Sequence, residues 1–283
     1  MADISIIIPV LNEEDSILPL ARELAAAFSG RAWDWECIWV DDGSTDQSRA
    51  RLAEMSRRDP RHRHLILAKH AGQAAALWAG FSAAGGGIIC TLDGDGQNDP
   101  ADLPLFIDAL RSQDADLVTG YRASRQDDWV RKSTSFIGNA ARNILTGHVV
   151  KDSACAARAM RRAALMRLPF FHGMQRFFPT LFALRGCRII EMAARHRPRL
   201  KGKAKYGVWN RLGPGLLDCF GVLWLRRRAL SYEVAAQGGL QCEKDSGCSS
   251  GSSGKASSSP DSSSNGSRAN GASAASSPSP SGG

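Results

Sequence analysis

Gly87-Ile88-Ile89-Cys90-Thr91-Leu92-Asp93-Gly94-Asp95-Gly96-Gln97 reads as a buried strand that ends in a polar turn. The apolar run through Leu92 has the length and residue types of a strand covered on both faces. Two carboxylates, Asp93 and Asp95, follow at i and i+2, where the strand leaves its sheet. The glycines beside them let the backbone come close to a ligand. Two hard oxygen ligands in that place suit a divalent cation that also touches phosphate oxygens. Asp-x-Asp pairs in isolation are more often solvated turn carboxylates, so the stretch takes its meaning from its surroundings.

Those surroundings alternate strand and helix. Ile4 to Val10 reads as a first strand, followed by helical spacing from Asn12 to Phe28. Glu36 to Val40 is a second strand, and Ser44 or Thr45 stands where it would cap a helix running to about Arg58. His64 to Lys69, Gly87 to Leu92 and Asp116 to Gly120 read as the third to fifth strands. Helices are expected over Gly72 to Ala84 and Pro100 to Ser112. This order predicts a mostly parallel sheet with helices on both faces. Ligands bind such sheets at the carboxyl ends of the strands. Asn12-Glu13-Glu14, Asp41-Asp42, Lys69-His70, Asp93-Gly94-Asp95 and Tyr121-Arg122 all fall just after a strand, so five elements send polar groups to one edge.

After Arg122 the alternation fades. An amphipathic helix is expected over Trp129 to Leu145, with Arg131, Ser135, Asn139 and Arg142 on or near one face. Arg188 to Met192 reads as a further strand and Trp209 to Arg228 as a helix ending in three arginines. Such a helix fits either a membrane interface or a core packing with cations at its C-terminal dipole.

The chain has 283 residues, 43% hydrophobic and 23% charged, enough for one sizeable core. Residues 1–234 are read as one domain, with the strand-helix half at 1–122 and a second half at 123–234. Residues 235–283 are rich in Ser and Gly and are expected to be disordered. The formal net charge of +8, dense in Lys and Arg from Arg195 to Arg228, favours an anionic partner or a solvated basic face. No nucleic-acid partner is expected. Seven scattered Cys without metal-ligand spacing read as reduced thiols in a cytoplasmic protein. No signal peptide is expected, and Gly213 to Leu225 is too short to span a bilayer.

A carboxylate at Asp41-Asp42 suits a base N–H or a ribose hydroxyl, or else a helix cap. Pro9 to Glu13 suits the wall of a flat base. Arg199 and Lys205 lie in a cationic loop with a Gly and a Pro, fit for phosphate or for plain basic surface.

Taken together, Ile6-Ile7-Ile8-Pro9-Val10-Leu11-Asn12-Glu13-Glu14, Val40-Asp41-Asp42-Gly43-Ser44-Thr45-Asp46, Leu92-Asp93-Gly94-Asp95-Gly96-Gln97 and Gly202-Lys203-Ala204-Lys205-Tyr206 resemble family 2 glycosyltransferases. The likeness is to the dolichol-phosphate mannose synthase and polyprenyl-phosphate glycosyltransferase branch, in order and spacing, over about residues 1–234. It implies a GT-A fold and inverting transfer of a sugar from GDP-mannose or a UDP-hexose to a polyprenyl phosphate, at the cytosolic face of a membrane.

By motif match, Pro9, Leu11, Glu13, Val40, Asp42, Leu92, Asp93 and Gly94 would hold the donor. Asp93 and Asp95 would hold Mg²⁺ or Mn²⁺, with Gln97 assisting. Arg122, Arg199 and Lys205 would meet the phosphates, with Asp93, Asp95 and Arg122 as the catalytic set. Arg131 and Ser135 would lie at the acceptor phosphate.

The chain departs from the family pattern in three places. Leu11 stands where relatives often carry an aromatic, Ala204 replaces the usual Ser before the loop lysine, and residues 151–158 lack the usual Gly-aromatic pair. A family 2 enzyme acting on a glycan hydroxyl would need a carboxylate base, for which Asp127, Asp128 and Asp152 are the nearby candidates. A nucleotide-sugar-binding protein without activity is a further alternative, against which the intact Asp93 and Asp95 argue.

Overall fold

The computed structural model describes residues 2–122, 151–152, 155–197 and 209–228, with side chains in the last stretch from Leu217 on. The expected helix at Trp129 to Leu145, the cationic loop carrying Arg199 and Lys205, and the Ser/Gly-rich tail lie outside the described residues. So do Arg131, Ser135, Asp127 and Asp128.

Strands β1 (Ile4–Val10), β2 (Trp35–Asp41), β3 (His62–Ile66), β4 (Ile88–Thr91), β5 (Leu117–Arg122), β6 (Arg158–Arg161) and β7 (Ile189–Ala194) form one sheet in the order β3-β2-β1-β4-β6-β5-β7. All pairings are parallel except those of β6, which runs antiparallel to both β4 and β5. The fold is GT-A-like, and six strands point their carboxyl ends to one edge, as the alternation predicts. Strand β6 was not expected. It sits between β4 and β5, so those two strands are not neighbours.

Helices α1 (Ile17–Ala27), α2 (Ser48–Arg58), α3 (Gln73–Ala83) and α4 (Asp102–Ser112) link the early strands. A short turn α5 (Arg162–Leu165), a 3-10 turn at Met174–Arg176, α6 (Phe178–Leu184) and α7 (Trp209–Arg228) follow. Side chains alternate across each strand, which divides the core in two. Ile4, Ile6, Ile8, Trp39 and Cys90 pack with α1, α2 and α4. Ile7, Ile38, Val40, Ile89 and Leu117 pack with α3, α6 and α7. Coverage of both faces is why these strands read as nearly unbroken apolar runs.

Several limits differ from expectation. Helix α1 begins at Ile17 rather than near Asn12, because residues 12–16 form a loop with Asn12 at φ 52°. Helix α2 begins at Ser48, and neither Ser44 nor Thr45 caps it. Those two residues face the β1 exit loop instead. Strand β3 starts two residues earlier than expected, where buried His62 accepts a hydrogen bond from Trp39 Nε1 at 3.1 Å. Among the described residues no helix is long and apolar enough to cross a membrane.

Candidate functional site

The chain leaves β1 to build β2 and β3 on one side, then returns to place β4 on β1's other side. That reversal of strand order opens a crevice between the exits of β1 and β4. Asp93 and Asp95 lie on the β4 exit, and Pro9 and Leu11 on the β1 exit. The two exits are in close contact at Gly94, where an added Cβ would stand 2.9 Å from the Pro9 carbonyl oxygen. Only glycine lets the Asp93–Asp95 turn sit this close to β1.

The β1 and β2 exits are locked together by reciprocal hydrogen bonds. Asn12 N–H donates to Ser44 Oγ at 2.9 Å, and Thr45 N–H donates to Asn12 Oδ1 at 2.7 Å. Glu13 N–H donates to Ser48 Oγ, and Gln47 N–H to Glu14 Oε2. Burial raises the Asp46 carboxyl, but the hydroxyl and amide of Ser48 and the Glu14 amide outweigh it and hold it below the ordinary aspartate value. Pro9, Leu11 and Glu13 are therefore carried on a braced loop rather than a loose one.

Asp41 and Asp42 divide their work. Asp41 is fully buried and accepts from Ser44 N–H and Arg49 Nε. Asp42 accepts from the amides of Ala71 (2.7 Å) and Gly72 (2.9 Å) and meets His70 Nδ1 at 2.9 Å. It thus shapes the loop between β3 and α3. Gly43, at φ 83°, is pressed against that loop, and a Cβ there would lie 2.7 Å from His70 N. Val40 and Leu92, expected at the donor, have their side chains in the core. Only their main chain reaches the sheet edge.

Around Asp93 and Asp95 the donors come from three elements. Gln73 Nε2, at the start of α3, donates to Asp93 Oδ1 at 2.9 Å. Gln175 Nε2, from the 3-10 turn, donates to Gln73 Oε1 at 3.2 Å. The other amide atom of that side chain, Gln175 Oε1, is buried with no hydrogen-bond partner among the described residues. Asp95 is buried and accepts from Gln97 N–H at 3.1 Å. Among the described residues no group of three or more His, Cys, Asp or Glu gathers as a metal cage. Two carboxylates side by side match a cation that completes its shell with ligand phosphate oxygens.

Beyond β4, Arg122 at the end of β5 holds Asp152 in a forked pair, Nε to Oδ2 at 2.7 Å and Nη2 to Oδ1 at 3.1 Å. Both side chains are largely buried. As a candidate base, Asp152 is thus already engaged by a guanidinium. The buried Arg158 begins β6, opposite Thr91 in register, with its guanidinium 5.2 Å from the Phe178 ring centre. Burial lowers its pKa, opposed by Cys155, Asp93 and Asp152. An arginine stays charged through such shifts, so a fixed cation acts on both Asp93 and Asp152. Burial pushes the Cys155 thiol up to about 11, which keeps it protonated and excludes it as a nucleophile at neutral pH.

Reading the sequence alone overlooked Gln73, Gln175 and Arg158. Part of the basic density that begins at Arg195 is engaged within the fold. Arg195 pairs with Asp102 at 2.8 Å, and Arg197 with Asp99 and Glu23, each at 2.9 Å. Arg197 N–H also donates to the Gln97 carbonyl at 2.8 Å, and Asn98 bridges His196. These contacts bind the β7 exit to the turn that carries Asp95 and Gln97.

Comparison with known proteins agrees with this geometry. The sequence profile of Glycosyl transferase family 2 matches residues 5–168. The dodecaprenyl-phosphate galacturonate synthase of Rhizobium johnstonii is 34% identical over 229 residues, covering 80% of this chain and 68% of that protein. Glucosyl-3-phosphoglycerate synthase from Mycobacterium tuberculosis, in complex with uridine-diphosphate, superposes with a TM-score of 0.59 at 21% identity, covering 81% of this chain and 82% of that one. The same enzyme with Mg²⁺ and uridine-diphosphate gives 0.57 at 23% identity, covering 80% and 79%. A complex with Mn²⁺, uridine-diphosphate and glucosyl-3-phosphoglycerate gives 0.58 at 21%, covering 80% of each chain. At those identities the structures speak for the fold. The profile and the Rhizobium relative speak for descent, and with them the paired carboxylates at the sheet's crevice find their place: the chain belongs to glycosyl transferase family 2 and is a glycosyltransferase.

Proposed function

We propose that the chain transfers a hexose or hexuronate from a nucleotide sugar to a polyprenyl phosphate, with inversion, at the cytosolic face of a membrane. The observation that carries this reading is the position of Asp93 and Asp95 on the β4 exit, at the crevice beside β1. The likeness to a polyprenyl-phosphate galacturonate synthase supports the acceptor class. Residues 1–234 would form the catalytic domain, with residues 235–283 outside it.

Asp93 and Asp95, with Gln97, would hold Mg²⁺ or Mn²⁺. When bound, such a cation offsets the charge that builds on the leaving diphosphate. Pro9, Leu11, Glu13 and Asp42, with the main chain at Val40, Leu92 and Gly94, would hold the donor. Arg122, Arg199 and Lys205 would gather the phosphates, and Arg131 and Ser135 would meet the acceptor's phosphate. An oxygen of that phosphate attacks the anomeric carbon. The bond from that carbon to the diphosphate oxygen breaks on the opposite face, and its electron pair leaves with the nucleoside diphosphate. A lipid phosphate is already anionic near neutral pH and needs no base to remove a proton. The engagement of Asp152 by Arg122 fits a reaction that does not call on it as a base.

The acceptor class is tested by offering labelled GDP-mannose, UDP-glucose and UDP-galacturonate with Mg²⁺ and one of three acceptors. These are undecaprenyl phosphate, undecaprenol and a water-soluble glycoside. Label moving to the organic phase with the phosphate alone supports the reading. Label on the glycoside, or on undecaprenol as readily as on its phosphate, contradicts it.

A further inference from the structure

Helix α7 carries two opposed faces. Cys219 and Val222 are buried in the core half that contains α3 and α6. Leu217, Phe220 and Trp224, spaced by three and four, form a stripe on the other side. Their exposures are 72%, 59% and 62%, the three highest among the large apolar side chains described. Single exposed apolar residues need no explanation, but a Leu, a Phe and a Trp in line on one helix do. The stripe ends at Arg227 and Arg228, both exposed and on its side of the helix.

We propose that this face of α7 docks on the surface of an anionic phospholipid bilayer, with Leu217, Phe220 and Trp224 entering the acyl boundary and Arg227 and Arg228 meeting lipid phosphates. An aromatic and aliphatic stripe closed by a cation cluster is the pattern of a helix lying in an interface. Two adjacent arginines beside the stripe favour a negative surface over a neutral one. The charge also disfavours a second copy of this chain as the occupant, since it would set the same cations against each other. The chain's own tail is a poor cover, because beyond Leu240 it contains no Leu, Ile, Val, Met, Phe, Tyr or Trp.

The helix is also connected to the site. Asp218 lies against Gly173, where an added Cβ would stand 2.6 Å from Asp218 Oδ2. Gly173 opens the turn that carries Gln175, which donates to Gln73, which donates to Asp93. Helix α7 therefore touches, through Asp218, the segment that reaches the carboxylate site. The inference deepens the lipid-phosphate reading, yet its test needs no turnover.

The full chain is floated with vesicles of phosphatidylcholine, with or without phosphatidylglycerol. It is expected to float with the anionic vesicles and weakly with the neutral ones. Arg227→Gln and Arg228→Gln together should lower binding to anionic vesicles by at least about tenfold and remove the preference. Leu217→Ser, Phe220→Ser and Trp224→Ser together should abolish flotation with both. The arginine variant alters only exposed side chains, so it remains informative if the apolar variant fails to fold. Flotation of wild type and arginine variant alike overturns the proposal. So does failure of the wild type to float, or a dimer in solution that Phe220→Ser and Trp224→Ser convert to monomer. Glycosyl transfer to a soluble acceptor with normal flotation would overturn the function proposed above and leave this inference standing.

Discussion

Gln73 Nε2 donates to Asp93 Oδ1 at 2.9 Å, which fixes the orientation of one of the two carboxylates at the β4 exit. Gln175 holds Gln73 in turn, so the orientation of Asp93 depends on a residue 82 positions away in the chain (175 minus 93). This chain of amides ties the β4 exit to the segment that follows β6.

Gln73→Leu removes a hydrogen bond worth about 1 to 2 kcal/mol to a charged acceptor, so the metal concentration for half-maximal rate should rise by about fivefold to thirtyfold. Thermal stability should change little, because Gln73 is exposed. Titration of activity with Mn²⁺ checks this. An unchanged metal dependence would mean that Gln73 does not position Asp93.

Arg122 and Asp152 form a forked, largely buried pair. Asp152→Asn alone leaves the guanidinium without its countercharge and should cost about 3 kcal/mol. Arg122→Met with Asp152→Asn should cost less than the two single changes added together. Urea unfolding of the four proteins measures the coupling. Additive losses would show that the pair is not a structural unit.

Asp99 gives the acid limb of stability a defined sign. Burial raises its carboxyl, but the Ala101 amide, Arg197 and Arg195 outweigh burial and hold it below its ordinary value of 3.8. A folded pKa below the unfolded one adds stability above the unfolded value and loses it as pH falls through the folded value. Melting temperature should therefore drop as pH is lowered below about 4, and Asp99→Asn should flatten that drop while lowering stability at pH 7. Melts across this range decide it. An equally steep acid limb in the variant would assign the loss to other carboxylates.

Truncation after Gln237 should leave turnover and the melting transition largely intact. The removed residues hold one large apolar side chain, Leu240, and so cannot supply a packed core. Rate and melting temperature of full and shortened chains test this. A large loss of rate with an unchanged melt would give the tail a function.

Much of the sheet edge was legible because buried parallel strands carry long apolar runs that end abruptly in polar residues. Ile4–Val10 and Ile88–Thr91 are of this kind, so Asp93 and Asp95 could be placed before any coordinates. Strand β6 was hidden because Arg158-Ala159-Met160-Arg161 is four residues long and bounded by arginines. Its Arg158 is buried beside acidic groups of the site, a partnership formed only in the folded chain. Gln73 stands alone at the head of a small-residue helix and carries no periodic signal. The internal pairing of Arg195 and Arg197 was not legible because local sequence does not reveal Asp99, Asp102 and Glu23, which reach them from α1, α4 and the turn before it.

The most direct measurement follows labelled sugar from donor to undecaprenyl phosphate in the wild type and in Asp95→Ala, each with Mg²⁺ and with a chelator. Label should enter the organic phase only for the wild type with Mg²⁺, while the variant keeps its melting transition and remains near background. Undiminished transfer by a folded Asp95→Ala, or by the wild type in chelator, would contradict the assignment of Asp93 and Asp95 to the metal and the donor diphosphate.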